Sequence, residues 1–234
     1  MAIADLRREY RAGGLDRQEL ANDPLEQFQN WFDHAAAAQS GSRWRKIGIA
    51  LFKLWQAIRG HAPADVNAMV LATATRDGWP SARTVLLKGV DARGFIFFTN
   101  YDSRKGQELV GNPSAALVFY WPELERQVCV AGAVTKLPVA ESEAYFQSRP
   151  RGSQLGAWAS NQSAVLESRE ALDEQWRKVA ARFPTQVPRP PNWGGFVLSP
   201  SRLEFWQGRA SRLHDRFCFT KQSDGTWQIV RLAP

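Results

Sequence analysis

The sequence predicts a mostly β protein, an antiparallel barrel or sandwich with a few helices packed outside. From Ala68 onward, short apolar runs rich in β-branched and aromatic residues are separated by turn sequences such as Arg76-Asp77-Gly78. The regular alternation of strand and helix that marks a doubly wound parallel sheet is absent from the sequence. The glycine-rich loop patterns of dinucleotide and nucleoside triphosphate binding are absent as well.

The composition indicates a folded domain and favours anionic partners. The chain has 234 residues, of which 44% are hydrophobic, and it contains 10 Trp and 13 Phe. This content supports a core and argues against global disorder. The formal net charge of +7 favours anionic partners, but the Lys and Arg are scattered, which weighs against nucleic acid. We predict a mobile segment at 1–22 and a single domain at 23–234.

Helices are predicted ahead of the strands and between them. Asp23-Pro24 is an N-cap followed by proline at the first helical position, so a helix begins there and runs to about Ala38. A basic amphipathic helix is predicted at about 40–61. It can dock on a membrane or a partner, but packing on its own domain is the commoner arrangement. Further helices are expected at 103–111, 138–147 and 163–183.

The strands are predicted from period-two runs that end at turn residues. The first two, 68–75 and 81–88, form a hairpin around Gly78. The others are expected at 95–99, 114–121, 126–136, 195–199, 202–207, 215–220 and 227–232.

Several common classes of protein are disfavoured by residue spacing. Cys129 and Cys218 lie in apolar strand-like runs without metal-ligand spacing, so we expect buried free thiols in a reducing, cytoplasmic compartment. Three scattered histidines weigh against a metal site. The longest apolar run, 47–55, is broken by Lys53 and is too short to span a bilayer. We expect no secretory signal at the charged N-terminus.

Two stretches place cations where a sheet or a helix end exposes them. Arg83 and Lys88 are five residues apart, so regular alternation puts them on opposite faces. They would then serve two anions, or one anion if a bulge intervenes. Ser103, with Arg104 and Lys105, opens a helix whose N-terminus attracts phosphate. An ordinary capped helix with solvated charges fits that stretch equally well.

Two further stretches offer donors to phosphate. Tyr145, Arg149 and Ser153 bring a phenol, a guanidinium and a hydroxyl to a helix end and the loop after it. Gln162-Ser163 opens the long helix predicted at 163–183. Each of these residues, taken alone, is more often a surface residue. Together they exceed what one phosphate needs, which favours two phosphorylated ligands.

The C-terminal stretch places cations beside an indole. If 212–216 is extended, Arg212, His214 and Arg216 project from one face, with Trp206 close in sequence. Such a face suits a flat, anionic, aromatic ligand, because guanidinium planes stack on rings and pair with phosphate. The alternative is a solvated basic strand with one satisfied histidine. No histidine belongs to a recognisable Ser or Cys nucleophile arrangement, so we expect a bound cofactor to carry the chemistry.

Taken together, these stretches resemble the pyridoxamine (pyridoxine) 5′-phosphate oxidase family. The resemblance covers nearly the whole chain except 40–61, which looks like an insertion relative to the family. Phe98 also departs from the family, which has a tyrosine there. The motifs that carry the resemblance are RTVLLK at 83–88, FTN at 98–100 with SRK at 103–105, ERQV at 125–128, YFQSRPR at 145–151, QLGAW at 154–158, WGGF at 193–196, FWQG at 205–208, RLHDR at 212–216 and RLAP at 231–234.

The resemblance implies an FMN-binding split β-barrel of antiparallel Greek-key type, with helices outside and FMN at the interface of a homodimer. It implies a pyridoxal 5′-phosphate synthase, an oxidoreductase that converts pyridoxamine and pyridoxine 5′-phosphates by hydride transfer to FMN. Oxygen would reoxidise the flavin to give hydrogen peroxide. The expected partners are the substrate, oxygen and a second copy of the chain, without nucleic acid or a membrane span.

The resemblance also implies the roles of individual residues. Arg212 and His214 would be the catalytic pair that covers the pyridine ring of the substrate, and residues 7–10 would form a lid. The substrate-binding set is Arg7, Tyr10, Lys88, Tyr145, Arg149, Ser153, Arg212 and His214. The FMN-binding set is Arg83, Thr84, Val85, Leu86, Leu87, Lys88, Phe98, Thr99, Ser103, Arg104, Lys105, Gln127, Gln162, Ser163, Trp206 and Arg216.

Two other functions compete with this one. A split-barrel flavin- or deazaflavin-dependent reductase would keep the fold but act on another substrate. The substrate-phosphate set of Lys88, Tyr145, Arg149 and Ser153 argues against it, as does the pair Arg212 and His214. A non-enzymatic basic module would use the helix at 40–61 to bind nucleic acid or membrane.

Overall fold

The structure, a computed structural model, describes residues 3–5, 9–11, 13–41 and 65–234. These residues contain nine strands and five α-helices. The helices are α1 Pro24–Gly41, α2 Arg104–Gly111, α3 Val139–Ser148, α4 Arg151–Ala159 and α5 Arg169–Arg182. The strands are β1 Ala68–Ala74, β2 Pro80–Leu86, β3 Gly89–Asp91, β4 Gly94–Asn100, β5 Ser114–Trp121, β6 Arg126–Lys136, β7 Trp193–Gln207, β8 Asp215–Lys221 and β9 Trp227–Leu232. Short 3₁₀ turns occupy Ile3–Asp5, Arg17–Glu19 and Ala210–Arg212.

The strands form one sheet in the order β2-β1-β5-β6-β7-β4-β3, with β8 on β7 and β9 on β8. The pairs β3–β4, β4–β7, β7–β8 and β8–β9 are antiparallel. The predicted mostly β architecture with flanking helices is therefore confirmed. No helix in the described ranges is both long enough and apolar enough to cross a bilayer.

The chain divides into two compact units. The terminal unit comprises 1–70, 117–131 and 200–234, and the central unit comprises 71–116 and 132–199. In the terminal unit, Asp23 caps α1 as predicted, because its Oδ1 accepts hydrogen bonds from the backbone N–H groups of Leu25 (2.7 Å) and Glu26 (3.0 Å). The centres of the buried Phe28 and Phe119 rings are 4.8 Å apart, and this contact anchors α1 in the core of this unit.

In the central unit, α2 starts as the sequence predicts. The Ser103 hydroxyl accepts a hydrogen bond from the backbone N–H of Gly106 and donates to the carbonyl of Asn100. Gly106 is required here, because a Cβ atom on it would overlap the carbonyl group of Tyr101. A second core forms where Phe146, Leu155, Val187 and Trp193 pack together.

Two predictions for helices of the central unit are wrong. The helix expected at 163–183 begins only at Arg169, because Ser168 supplies the cap by accepting from the N–H of Ala171 at 3.1 Å. The sequence predicts a loop after the helix at 138–147, but the structure forms α4 there. Gly152 and Gly156 disfavour helix, and burial of Leu155 and of Gln154, whose amide donates to the carbonyl of Phe146, offsets that preference.

Two other expectations concern the strands predicted at 195–207 and the region before β1. The strands predicted at 195–199 and 202–207 are one strand, β7, which runs through Pro200. Most of the helix predicted at 40–61 lies outside the described residues, and so does most of the insertion predicted there. The division into a segment at 1–22 and a domain at 23–234 stays a prediction.

Replacement of Gly106 by alanine should destabilise the protein by about 1–3 kcal/mol, because the new methyl group would collide with backbone rather than with a movable side chain. Gly111→Ala is the matched control in the same helix, since no described atom beyond its chain neighbours and the adjacent backbone of the helix lies within 4 Å of the position that its methyl group would take. Urea denaturation of both variants measures the difference. Equal free energies of unfolding for the two variants would contradict the close approach.

Candidate functional site

The central unit contains a cavity of about 640 Å³, which is the size of a small-molecule site. It is built from the end of β2, from β4, α2, α3 and α4, and from the loop after α4. The residues that line it are Arg83, Thr84, Val85, Leu86, Lys88, Phe98, Thr99, Asn100, Lys105, Tyr145, Arg149, Pro150, Ser153, Gly156, Ala157, Ser160, Gln162 and Trp193.

The lining of this cavity is strongly cationic. Arg83, Lys88, Lys105 and Arg149 contribute positive charges, and the lining residues in the described chain include no carboxylate. A concave surface with one sign of charge raises the local concentration of ligands with the opposite sign. The cavity is therefore suited to anions.

Arg149 is the cation whose surroundings most clearly call for a ligand. Its guanidinium lies 4.6 Å from the centre of the Trp193 ring, and its Nη1 is buried without a hydrogen-bond partner among the described residues. Burial lowers the pKa of Arg149, partly opposed by Tyr145. A buried donor without an acceptor is costly, and an anionic oxygen would satisfy it.

Lys105 joins three elements at another part of the cavity. Its Nζ donates to Gln162 Oε1 at 2.8 Å and to Thr99 Oγ1 at 3.2 Å, and the Thr99 hydroxyl also donates to Gln162 at 3.1 Å. Burial, and then the nearby charge of Arg83, lower the pKa of Lys105, while Glu108 acts to raise it. An anion next to this ammonium would favour its charged form.

Arg83 and Lys88 line the same cavity, although the predicted strand alternation put them on opposite faces. The expectation was wrong because β2 ends at Leu86 and β3 begins at Gly89, so Lys88 lies in the connection between strands. Its backbone N–H donates to the carbonyl of Ile96 at 2.8 Å. The break in the strand therefore brings both cations to one cavity, where they can still serve two different anions.

A wall of flat rings borders the cations. Phe98 stacks on Tyr145 with ring centres 3.9 Å apart and an interplanar angle of 21°, and it lies 5.5 Å from Trp193 at 13°. Trp193 was not among the predicted site residues, although its place at the start of the WGGF motif was the signal that could have found it.

Glu108 lies behind the cations and was also missed. It is buried, and it accepts hydrogen bonds from Thr73, Ser81, Arg83 and Arg104. Burial acts to raise the pKa of Glu108, but the hydrogen bonds from Ser81, Thr73, Arg104 and Arg83 outweigh it and lower the pKa to about 2. The carboxylate is thus fully charged in any ordinary buffer.

Some predicted FMN-binding residues lie beside the cavity rather than on its lining. Leu87 is buried, Ser103 is the N-cap of α2, and Arg104 is exposed with its Nε bound to Glu108 at 2.8 Å. Ser163 is exposed with φ 75°, in the loop before α5. The predicted placement of Gln162 and Ser163 at a helix N-terminus was wrong, but Gln162 still reaches the cavity.

The remaining predicted residues belong to the terminal unit, where three rings form a cluster. Tyr10 packs edge-on against Trp206 at 5.4 Å and against His214 at 5.5 Å, and Trp206 lies 4.7 Å from His214. The backbone N–H of Arg209 donates to His214 Nδ1 at 3.1 Å. A neutral His214 therefore carries its proton on Nε2.

Arg216 and Arg212 in the C-terminal stretch differ in their secondary structure and in their contacts. Arg216, on β8, donates to Glu204 Oε1 (2.9 Å) and to the carbonyl of Ala233 (2.8 Å). Arg212 lies in a 3₁₀ turn with φ 62° and is exposed. An extended run over 212–216 was the condition for Arg212, His214 and Arg216 to share one face, and it is not met at Arg212. Gln127, on β6, is half-buried.

The N-terminal residues that the structure describes are held by hydrogen bonds. The N–H of Leu15 donates to Asp215 Oδ2 at 3.0 Å, and that of Arg11 donates to Glu125 Oε2 at 2.7 Å. Arg231 bridges Asp215 (2.6 Å) and Asp16 (2.7 Å). Arg7 lies outside the described residues, and the role of residues 7–10 as a lid stays a prediction.

The cysteines and acidic groups offer no second centre within the described ranges. Both cysteines are free thiols, and Cys218 is buried while Cys129 is only half-buried. Burial raises the pKa of the Cys129 thiol, and the charge of Glu204 adds to the effect. No cluster of three or more His, Cys, Asp and Glu side chains in the part of the chain that the structure describes could hold a metal ion.

Comparison of the sequence with known proteins gives two family matches and many relatives. Residues 61–207 match the family described as pyridoxamine 5′-phosphate oxidase, and 193–234 match the pyridoxine 5′-phosphate oxidase C-terminal dimerisation region. The pyridoxine/pyridoxamine 5′-phosphate oxidase of Cupriavidus necator is 50% identical over 232 residues, covering 99% of both chains. That of Ralstonia pickettii is 51% identical over 233 residues, covering 100% of this chain and 99% of the relative.

Two solved structures share the fold. PhzG from Burkholderia lata, solved with tetrahydrophenazine-1-carboxylic acid, is 32% identical with a TM-score of 0.69, covering 82% of this chain and 96% of PhzG. An FMN-binding protein from Nostoc punctiforme, related to pyridoxamine 5′-phosphate oxidase, is 16% identical with a TM-score of 0.63, covering 88% and 97%. The predicted split-barrel fold is confirmed.

The buried charge of Glu108 should make stability depend on pH in the acid range. Because its folded pKa of about 2 is below the ordinary 4.5, its contribution is complete above pH 4.5 and is lost as the pH falls through 2. Between these values the wild type should lose about 3 kcal/mol more unfolding free energy than Glu108→Gln. Urea denaturation at a series of pH values measures this, and parallel curves would contradict it.

Proposed function

Because the chain belongs to the pyridoxamine 5′-phosphate oxidase family, we propose that it is a pyridoxal 5′-phosphate synthase. It would oxidise pyridoxamine and pyridoxine 5′-phosphates with FMN as cofactor and oxygen as acceptor. The observation that carries the proposal is the cationic cavity, whose lining includes Arg149, a residue with a buried Nη1 that has no acceptor in the described chain. A phosphate ester supplies the oxygens that this donor needs.

The residues of the cavity fit a flavin phosphate. Arg83 and Lys105 supply two positive charges, and Gln162 and Thr99 hold Lys105 in place. We propose that these residues, together with the lining of β2, hold FMN. When bound, FMN would accept a hydride from the exocyclic carbon of the substrate and pass the electrons to oxygen, giving hydrogen peroxide.

A second group of donors fits the phosphate of the substrate. We propose that Lys88, Tyr145, Arg149 and Ser153 hold it, because all four line the cavity and bring two positive charges and two hydroxyls. The bound phosphate anchors the substrate and thereby orients its pyridine ring. The orientational entropy of the substrate is therefore lost when it binds rather than in the transition state.

The terminal unit supplies the other residues that the resemblance implicates. Arg212 and His214 would cover the pyridine ring, and Tyr10 would close over it. Because Nδ1 of His214 accepts from the Arg209 backbone, its Nε2 is the nitrogen available to a ligand. The match of 193–234 to a dimerisation region supports a homodimer, and we propose that FMN lies at the subunit interface. Two free thiols fit a reducing cytoplasm.

The second candidate function is a split-barrel flavin-dependent enzyme for another substrate, and the likeness to PhzG is what favours it. The ligand in the PhzG structure is a carboxylic acid without phosphate. A carboxylate carries one negative charge, whereas a phosphate ester carries about two near neutral pH. The two cations and two hydroxyls proposed for the substrate suit the phosphate ester better.

The function is tested by measuring peroxide formation with each candidate substrate. The purified protein should carry about one flavin per chain and should form hydrogen peroxide with pyridoxine 5′-phosphate and pyridoxamine 5′-phosphate. Unphosphorylated pyridoxine should give almost none. Flavin-loaded protein that is inactive on both phosphates would refute the proposed substrate, and protein that takes up no flavin would refute an FMN enzyme.

Replacement of Arg149 by alanine should raise the KM for pyridoxine 5′-phosphate by roughly 10–100-fold, because one charged anchor is worth about 1.5–3 kcal/mol. The FMN content should be unchanged, since other residues are proposed to hold the cofactor. Lys178→Ala is the control, because Lys178 is an exposed cation of α5 paired with Glu174. Steady-state kinetics checks this, and an unchanged KM would remove Arg149 from the substrate site.

A further inference from the structure

We propose that Glu108 is a positioning residue for the flavin phosphate, acting from behind the cavity by fixing the guanidinium of Arg83. The inference rests on the proposed function, because it assumes that the Arg83 side of the cavity takes the phosphate of FMN. Glu108 does not itself line the cavity. It reaches the ligand only through the groups that it holds.

The carboxylate of Glu108 connects three elements. Its Oε2 accepts from the hydroxyl of Thr73 on β1 at 2.5 Å and from that of Ser81 on β2 at 2.6 Å. The same oxygen accepts from Arg83 Nη2 at 3.2 Å. Its Oε1 accepts from Arg104 Nε on α2 at 2.8 Å. Only 5% of the residue is exposed, so water cannot replace these partners readily.

Arg83 is held on both of its terminal nitrogens as a result. Nη1 donates to the carbonyl of Leu71 at 3.3 Å and to the Thr73 hydroxyl, while Nη2 donates to the Ser81 hydroxyl and to Glu108. Thr73 and Ser81 are themselves bonded to Glu108. The guanidinium is therefore ordered before a ligand arrives, which reduces the entropy lost on binding.

The charges explain why a carboxylate belongs behind a site for an anion. Arg83, Arg104 and Lys105 carry three positive charges, and Glu108 carries one negative charge, which leaves a net charge of +2. A phosphate monoester carries a charge of about −2 near neutral pH. Arg83 disfavours the charged form of Lys105, and Glu108 opposes that effect, so the cations stay together at less cost.

The alternative is that Glu108 merely fastens α2 to the sheet. The two roles differ in what they require of the ligand. A positioning role depends on the phosphate group, whereas a fastening role affects any flavin equally. Riboflavin has the same ring system and ribityl chain as FMN but lacks the phosphate, so it separates the two roles.

The test is to titrate the apoprotein with FMN and with riboflavin, following the quenching of flavin fluorescence. For Glu108→Gln, we expect the Kd of FMN to rise on the order of 10–100-fold, by analogy with the loss of affinity when the outer partners of metal ligands are removed. The Kd of riboflavin should stay the same. Glu141→Gln is the matched control, because Glu141 pairs with Arg93 in the same unit and lines no part of the cavity. It should change neither Kd.

Either of two results with Glu108→Gln would overturn the inference, namely an unchanged Kd for FMN or an equal rise for both flavins. If that variant does not fold, Glu108→Asp keeps the charge but draws it back by one methylene. Its preference for FMN over riboflavin should fall below that of the wild type, and an unchanged preference would overturn the inference. A wild type that binds both flavins equally would overturn the proposed phosphate site itself.

Discussion

The constraint on which this molecule depends is the confinement of positive charge in one cavity. Four cations line it, and Arg149 has a buried nitrogen to which no described residue offers an acceptor. Burial lowers the pKa of both Lys105 and Arg149, and the nearby charge of Arg83 lowers the pKa of Lys105 further. A protein tolerates such a cost where a ligand relieves it, and two phosphate esters would do so.

The cations of the cavity fall into two groups that are stabilised in different ways. Arg83 and Lys105 have partners within the chain, since Glu108 binds the first and Gln162 binds the second. Arg149 rests on the Trp193 ring and keeps a donor that nothing in the described ranges satisfies. The first group is therefore organised in advance, as suits a cofactor that stays bound. The second group is left to a ligand that comes and goes, as suits a substrate.

Much of the fold followed from the sequence because local signals and tertiary packing agree there. Pro24 after Asp23, Ser103 at the start of α2 and Gly78 in the first turn each favour the conformation that the structure adopts. The errors lie where packing overrides local preference. Helix α4 forms despite its glycines because Leu155 is buried.

The site was predictable in its cations but not in the groups that support them. Motifs that match the family identified Arg83, Lys88, Lys105 and Arg149, all of which line the cavity. Glu108 could not be found in this way, because nothing in the sequence shows which of 23 acidic residues lies under the sheet. Its role depends on contacts between β1, β2 and α2, and only tertiary structure brings those together.

The claim that one cavity serves two phosphate esters is tested most directly by calorimetric titration of the FMN-saturated protein with pyridoxal 5′-phosphate, the proposed product. We predict that the loaded protein still binds about one equivalent of this second ester per chain. If FMN instead abolishes its binding, both groups of cations serve a single phosphate and the two-ester cavity is refuted.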